Sequence, residues 1–161
     1  MITLLSNLFA RGEPTLAEAG AGDAAAITAL HAASFRRGWS EPEVEALLLD
    51  RHVIAHRAGS GRKLAGFIMS RLVGDEAEIL SVAVGRSNQG RGFARRLLDL
   101  HLRRLAGLGA RTVFLEVDEH NRPAIRLYDR AGFAEISRRP NYYPASDGTA
   151  AAALMLRRDL G

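Results

Sequence analysis

Residues 80–95 read LSVAVGRSNQGRGFAR. The first five favour a strand, the middle is a glycine-rich turn, and the end opens an amphipathic helix. Ala94, Leu97, Leu98, His101, Leu102, Leu105 and Leu108 recur at spacings of three and four, which predicts a helix over roughly 91–108. Arg95, Arg96, Asp99, Arg103 and Arg104 fall largely off that stripe, and Gly107 and Gly109 stop the helix. A strand that passes through glycines into a helix is an anion-binding arrangement. First-turn amides lack intrahelical partners, the helix dipole favours negative charge there, and Gly90 and Gly92 let a ligand approach the backbone. Arg91 and Arg95 add positive charge. Two familiar phosphate motifs do not fit. No Gly-Lys-Ser/Thr ending is present, and Arg95 stands where the dinucleotide fingerprint needs Gly or Ala.

Working outward, "DEAEILSVAV" (75–84) reads as the strand feeding the turn, preceded by "HVIAHRAG" and "KLAGFIMSRLVG" as two strands around the turn "AGSGR" (58–62). Further upstream, Ser40 and Glu43 have capping-box spacing, with Trp39 and Val44 placed for a hydrophobic staple. Asp23 can cap an earlier helix that buries Ile27, Leu30 and Phe35, and residues 13–19 can form a first strand. Downstream, "RTVFLEVD" is a strand. "NRPAIRLYDRAG" is a short helix with Asn121 as cap, Pro123 in its first turn and Gly132 at its end. "FAEISRRPNYY" and "TAAAALMLRRDL" form a last strand pair around "PASDG" (144–148). Strand–helix–strand connections across the middle require some parallel pairing, so the class is α/β or α+β with a mixed sheet.

The 161 residues suit one domain over 1–161, with 1–12 as a short N-terminal lead-in rather than a targeting segment. No apolar run approaches the ~20 residues a spanning helix needs, which implies no membrane partner. Cysteine is absent, which excludes disulfides, thiolate metal sites and a cysteine nucleophile and fits a reducing cytoplasm. The net charge is +4, carried almost wholly by arginine, but the arginines are scattered and lack interleaved aromatics, so nucleic acid is not the expected partner. His52 and His56 lie four apart on a strand, and no His/Asp/Glu cluster has ligand spacing, so no metal is expected.

Gln89-Gly90-Arg91-Gly92-Phe93-Ala94, after a strand ending "SVAV" and before a long helix, resembles the acetyl-coenzyme A pyrophosphate loop of the GNAT N-acetyltransferases. The order of elements is similar to that family's along essentially the whole chain. "FLEVDEHNRPAIRLYDRAGF" (114–133) followed by "RRPNYYPASDG" (138–148) resembles, more narrowly, the RimI-type enzymes, which acetylate the N-terminal alanine of a ribosomal protein. The resemblance implies a single domain with a mixed, mostly antiparallel sheet of about seven strands flanked by about four helices. It implies acetyl-coenzyme A as cosubstrate. Val82, Ala83 and Val84 would meet its pantetheine arm, Gln89, Gly90, Arg91, Gly92, Phe93, Ala94 and Arg95 its pyrophosphate, and Asn121 its arm again. Glu116 would be the general base and Tyr128 the general acid. Trp39, Tyr142 and Tyr143 lie where this fold admits its acceptor.

The chemistry suits these residue types. Amide formation from an amine and a thioester removes a proton from nitrogen and delivers one to sulfur. A peptide α-amine has a reference pKa near ~8, within reach of a carboxylate acting through water, and a phenol can serve a thiolate whose parent thiol lies near ~8.5. Glu116 interrupts the apolar run "VFLEV", although alternation equally makes it an outward-facing residue opposite Val113, Leu115 and Val117. Tyr128 follows Asn121 by seven residues, two helical turns, and also reads as a core tyrosine with Ile125 and Ala131. The expectation is a cytoplasmic acyltransferase, monomeric or a weak dimer, acting on a protein N-terminus by direct amine attack. The alternatives are a small amine or lysine side chain as acceptor, or a non-catalytic coenzyme A-binding module.

Overall fold

The computed structural model describes residues 14–60, 63–144 and 150–161. The 1–12 lead-in, part of the 58–62 turn and nearly all of the 144–148 loop lie outside the described residues. The chain runs β1 (Thr15–Glu18), a 3-10 turn (Ala21–Asp23), α1 (Ala24–Ser34), α2 (Glu41–Leu49), β2 (Val53–Ser60), β3 (Lys63–Val73) and β4 (Glu76–Val84). A second 3-10 turn (Arg86–Asn88) leads to α3 (Phe93–Gly107), β5 (Thr112–Asp118), α4 (Arg122–Arg130), β6 (Ala134–Pro144) and β7 (Ala150–Asp159). The strands form a seven-stranded sheet in the order β1-β2-β3-β4-β5-β7-β6. It is mixed, as expected: β4 and β5 run parallel, while β1–β2, β5–β7 and β6–β7 are antiparallel. Among the described residues, no helix is long and apolar enough to cross a membrane.

Two compact units can be drawn. In the first, comprising the described residues up to Met69 together with Ser81–Leu97, the fully buried side chains Ile27, Val44, Phe67, Ile68, Met69 and Leu97 make the core. The capping box at α2 forms as spelled: Glu43 N–H donates to Ser40 Oγ (3.3 Å), and Ser40 N–H donates to Glu43 Oε2 (2.9 Å). Asp23 departs from expectation. It occupies the N-cap of α1 without a side-chain cap bond. Its backbone is already helical (φ −90°, ψ −3°), which keeps the carboxylate off the following amides. One oxygen accepts instead from Gly20 N–H (2.9 Å), and the other pairs with Arg57.

Phe35 also departs. The chain turns extended there (φ −127°, ψ 148°), so the residue leaves the helical stripe and is 38% exposed. The centre of this region is His31, which is buried. Its Nδ1 accepts from the Trp39 backbone N–H (3.0 Å), and the Trp39 ring stacks on the imidazole at 4.1 Å between centroids. Burial pushes the imidazole pKa down, against a smaller upward pull from Glu43.

The second unit comprises Ser70–Leu80 and the described residues from Leu98 onward. Val113, Leu115 and Val117 alternate inward on β5, and Ala151–Leu154 and Leu156 bury most of β7. From α3, Leu98, Leu102 and Leu105 are buried, and His101 shares a 2.7 Å hydrogen bond with buried Ser70. Leu108, expected on the stripe, lies past the end of α3 and is 40% exposed. At the C-terminus of α4, Gly132 takes a left-handed φ of 88°, and Phe133 turns back edge-on to Tyr128 (5.7 Å).

Candidate active site

In the first unit, β4 delivers the chain into the glycine turn. Gly85 N–H donates to Ala65 O (2.8 Å), tying the exit of β4 to β3. Gly90 and Gly92 have φ of 76° and 80°, conformations that L side chains rarely adopt. A Cβ added at either would meet nothing within 4 Å, so the loop offers bare backbone to open space. Helix α3 begins directly after it, and its first bond closes from Arg96 N–H to Gly92 O (3.1 Å). The first-turn amides and the dipole of α3 therefore act on whatever anion sits at the loop.

The residues of this loop divide by role. Gln89 is exposed and reaches back to β4, its Nε2 donating to Val84 O (3.0 Å). Phe93 is buried and serves the core, with the Arg91 guanidinium 5.3 Å above its ring. Arg91 also donates to Asn88 Oδ1 (3.4 Å). Arg95 is exposed and Ala94 half-buried. On β4, Val82 and Val84 are half-buried while Ser81 and Ala83 face the core. Behind them stands Gly66 of β3. A Cβ there would lie 2.9 Å from Ala83 O and about as close to Val84 and Leu97, so only glycine lets the backbones approach. Ser81 Oγ is buried without a hydrogen-bond partner.

In the second unit, β5 alternation leaves Glu116 exposed, on the face opposite Val113, Leu115 and Val117. The Tyr143 hydroxyl donates to Glu116 Oε1 at 2.8 Å. Burial, and then this hydrogen bond, raise the Tyr143 pKa, so the phenol keeps its proton. Tyr142 lies edge-on to Tyr143 (5.1 Å) and carries the Arg139 guanidinium over its ring (4.8 Å). Tyr128 is 7% exposed, and burial lifts its pKa to about 12. Its hydroxyl has no hydrogen-bond partner among the described residues. Asn121 Oδ1 accepts from Ala124 N–H (3.3 Å), which is the cap expected for α4.

The acetyltransferase (GNAT) family model matches residues 24–133. The chain belongs to the GNAT acetyltransferase family. Within that family it is similar to the [ribosomal protein bS18]-alanine N-acetyltransferase of Escherichia coli K12, with 36% identity over 117 residues, 73% of this chain and 78% of that one. The crystal structure of the ribosomal-protein-S18-alanine N-acetyltransferase from Escherichia coli superposes with a TM-score of 0.86 at 28% identity, covering 92% of this chain and 94% of that one. Arabidopsis thaliana NAA60 in complex with acetyl-CoA shares the fold (TM-score 0.81, 20% identity, 91% and 98% covered).

A GNAT enzyme is an acyltransferase, and the loop suits its cosubstrate. Positive-φ glycines without side chains, at the start of a 15-residue helix, leave room and donors for a diphosphate. Among the described residues no group of three His, Cys, Asp or Glu could hold a metal ion. Three features escaped the sequence reading. Gly66 sits in an apolar strand with no local sign of what lies across from it. Ser81 looks like an ordinary strand serine. The pairing of Tyr143 with Glu116 joins residues 27 apart through a strand irregularity.

Proposed function

We propose that the protein transfers the acetyl group of acetyl-coenzyme A to the α-amine of the N-terminal alanine of ribosomal protein bS18. The observation that carries the acceptor is the 36% identity over 117 residues with an enzyme of that name. In this reading the backbone of Gly90–Arg95 binds the pyrophosphate, with Arg91 and Arg95 neutralising charge, and Gln89 holds the loop against β4. Val82, Ala83 and Val84 offer strand backbone to the pantetheine arm, and the amide of Asn121 contacts it. Bound acetyl-coenzyme A supplies an activated acyl carbon and a thiolate leaving group.

Glu116 accepts, through a water, the proton that the ammonium must lose before the free amine attacks the thioester. Tyr128 donates to the departing sulfur. With its pKa near 12 the phenol is neutral throughout the working range. Complete proton transfer to a thiolate of parent pKa ~8.5 is uphill by roughly 5 kcal/mol, so its contribution is a hydrogen bond to the charge developing on sulfur. Trp39, Tyr142 and Tyr143 would meet the acceptor, as the family resemblance implies.

Glu116→Gln and Tyr128→Phe should each lower kcat by about 10²- to 10³-fold, with acetyl-coenzyme A affinity changed less than about threefold. Peptides beginning with the bS18 N-terminal alanine should be acetylated with sequential kinetics, and the same peptides with blocked ends should not. Full activity in both variants, or equal turnover of blocked peptides through a lysine, would overturn the assignment.

A further inference from the structure

Beyond its 2.8 Å bond from Tyr143, Glu116 has no hydrogen-bond partner among the described residues. An exposed glutamate on a strand samples many rotamers, and a base must stay within reach of its proton. The phenol selects one carboxylate orientation and leaves Oε2 for the proton.

What brings Tyr143 there is an irregularity in β6. Arg139 pairs with Ala153 of β7, but Tyr143 pairs with Ala151: four residue steps on β6 against two on β7. Asn141, within the looped-out stretch, has a φ of 57° and is the only non-glycine with positive φ among the described residues. Asparagine tolerates this left-handed conformation better than most residues. Glu116 pairs with Met155, further along β7 in the direction away from Ala151. In a regular ladder Tyr143 would stand two positions further from that row. The bulge therefore draws it about 7 Å nearer to Glu116 along the strand direction.

We infer that Tyr143 is a positioning residue for the Glu116 carboxylate, aimed at it by the left-handed turn at Asn141. This rests on the proposed role of Glu116 as base.

A double-mutant cycle tests it with the bS18-type alanine peptide. Tyr143→Phe should lower kcat about tenfold, with both KM values within about twofold. Glu116→Gln combined with Tyr143→Phe should be no slower than Glu116→Gln alone, because the phenol acts through the carboxylate. Asn141→Val should reproduce the loss of Tyr143→Phe without adding to it, and Asn141→Gly, free to take the positive φ, should restore what Val removes. An equal loss from Tyr143→Phe in both backgrounds, or a rise in peptide KM alone, overturns the inference. A fully active Glu116→Gln removes the base assignment itself. A slow Glu116→Gln beside a Tyr143→Phe of normal rate removes only the positioning role. Should Asn141→Val not fold, the Glu116–Tyr143 cycle decides alone.

Discussion

At the scale of single residues, burial separates two tyrosines of one chain by the tasks left to them. Tyr128 is packed against Phe133 and holds its proton to about pH 12. Tyr143 is spent on a carboxylate. The first has a consequence for stability. An unfolded phenol ionises near ~10, so between about pH 10 and 12 the unfolded chain sheds a proton that the folded chain keeps. Folding stability therefore falls as pH rises through that window. At the upper end the Tyr128 contribution approaches about 3 kcal/mol. Urea titrations from pH 9 to 11.5 should show a declining midpoint, with a shallower decline in Tyr128→Phe. Equal declines would place the alkaline sensitivity elsewhere.

At the scale of elements, the glycine turn depends on a neighbour. The Ala83 carbonyl stands 2.9 Å from where a side chain at Gly66 would begin. Gly66→Ala must push β4 away from β3 or strain both, at a cost of about 1–3 kcal/mol. Because β4 feeds the loop, acetyl-coenzyme A affinity should fall with the melting temperature. Calorimetry on the folded variant checks both, and a stable variant with unchanged affinity would contradict the account. The elements whose causes are local were legible in the sequence. The Ser40–Glu43 box, the Asn121 cap, the Gly132 stop and the α3 stripe all depend on residues within a turn or two of each other. What escaped depends on distant partners. Asp23 was drawn to Arg57, Phe35 left its helix as the chain turned extended, and the register of β6 against β7 placed Tyr143 on Glu116. A reading of periodicity sees none of these: the first two turn on a distant partner and a local change of backbone, and in β6 a bulge resets the alternation on which it relies.

At the scale of the whole molecule, the excess of 22 basic over 18 acidic residues matters for kinetics more than for fold. A polyanionic cosubstrate approaches a positively charged protein, and salt screens that attraction. Raising ionic strength from ~0.05 to ~0.5 M should weaken acetyl-coenzyme A binding severalfold, while the KM of an uncharged acceptor peptide stays within about twofold. Binding insensitive to salt would argue that backbone donors alone hold the diphosphate. The stacking of Trp39 on His31 has a different consequence. The chain contains one tryptophan, so all of its indole light leaves from a single address. Excited beyond the tyrosine absorption band, the emission of the protein is thus a local record of the segment between α1 and α2, and of the imidazole beneath it, undiluted by signal from anywhere else in the chain.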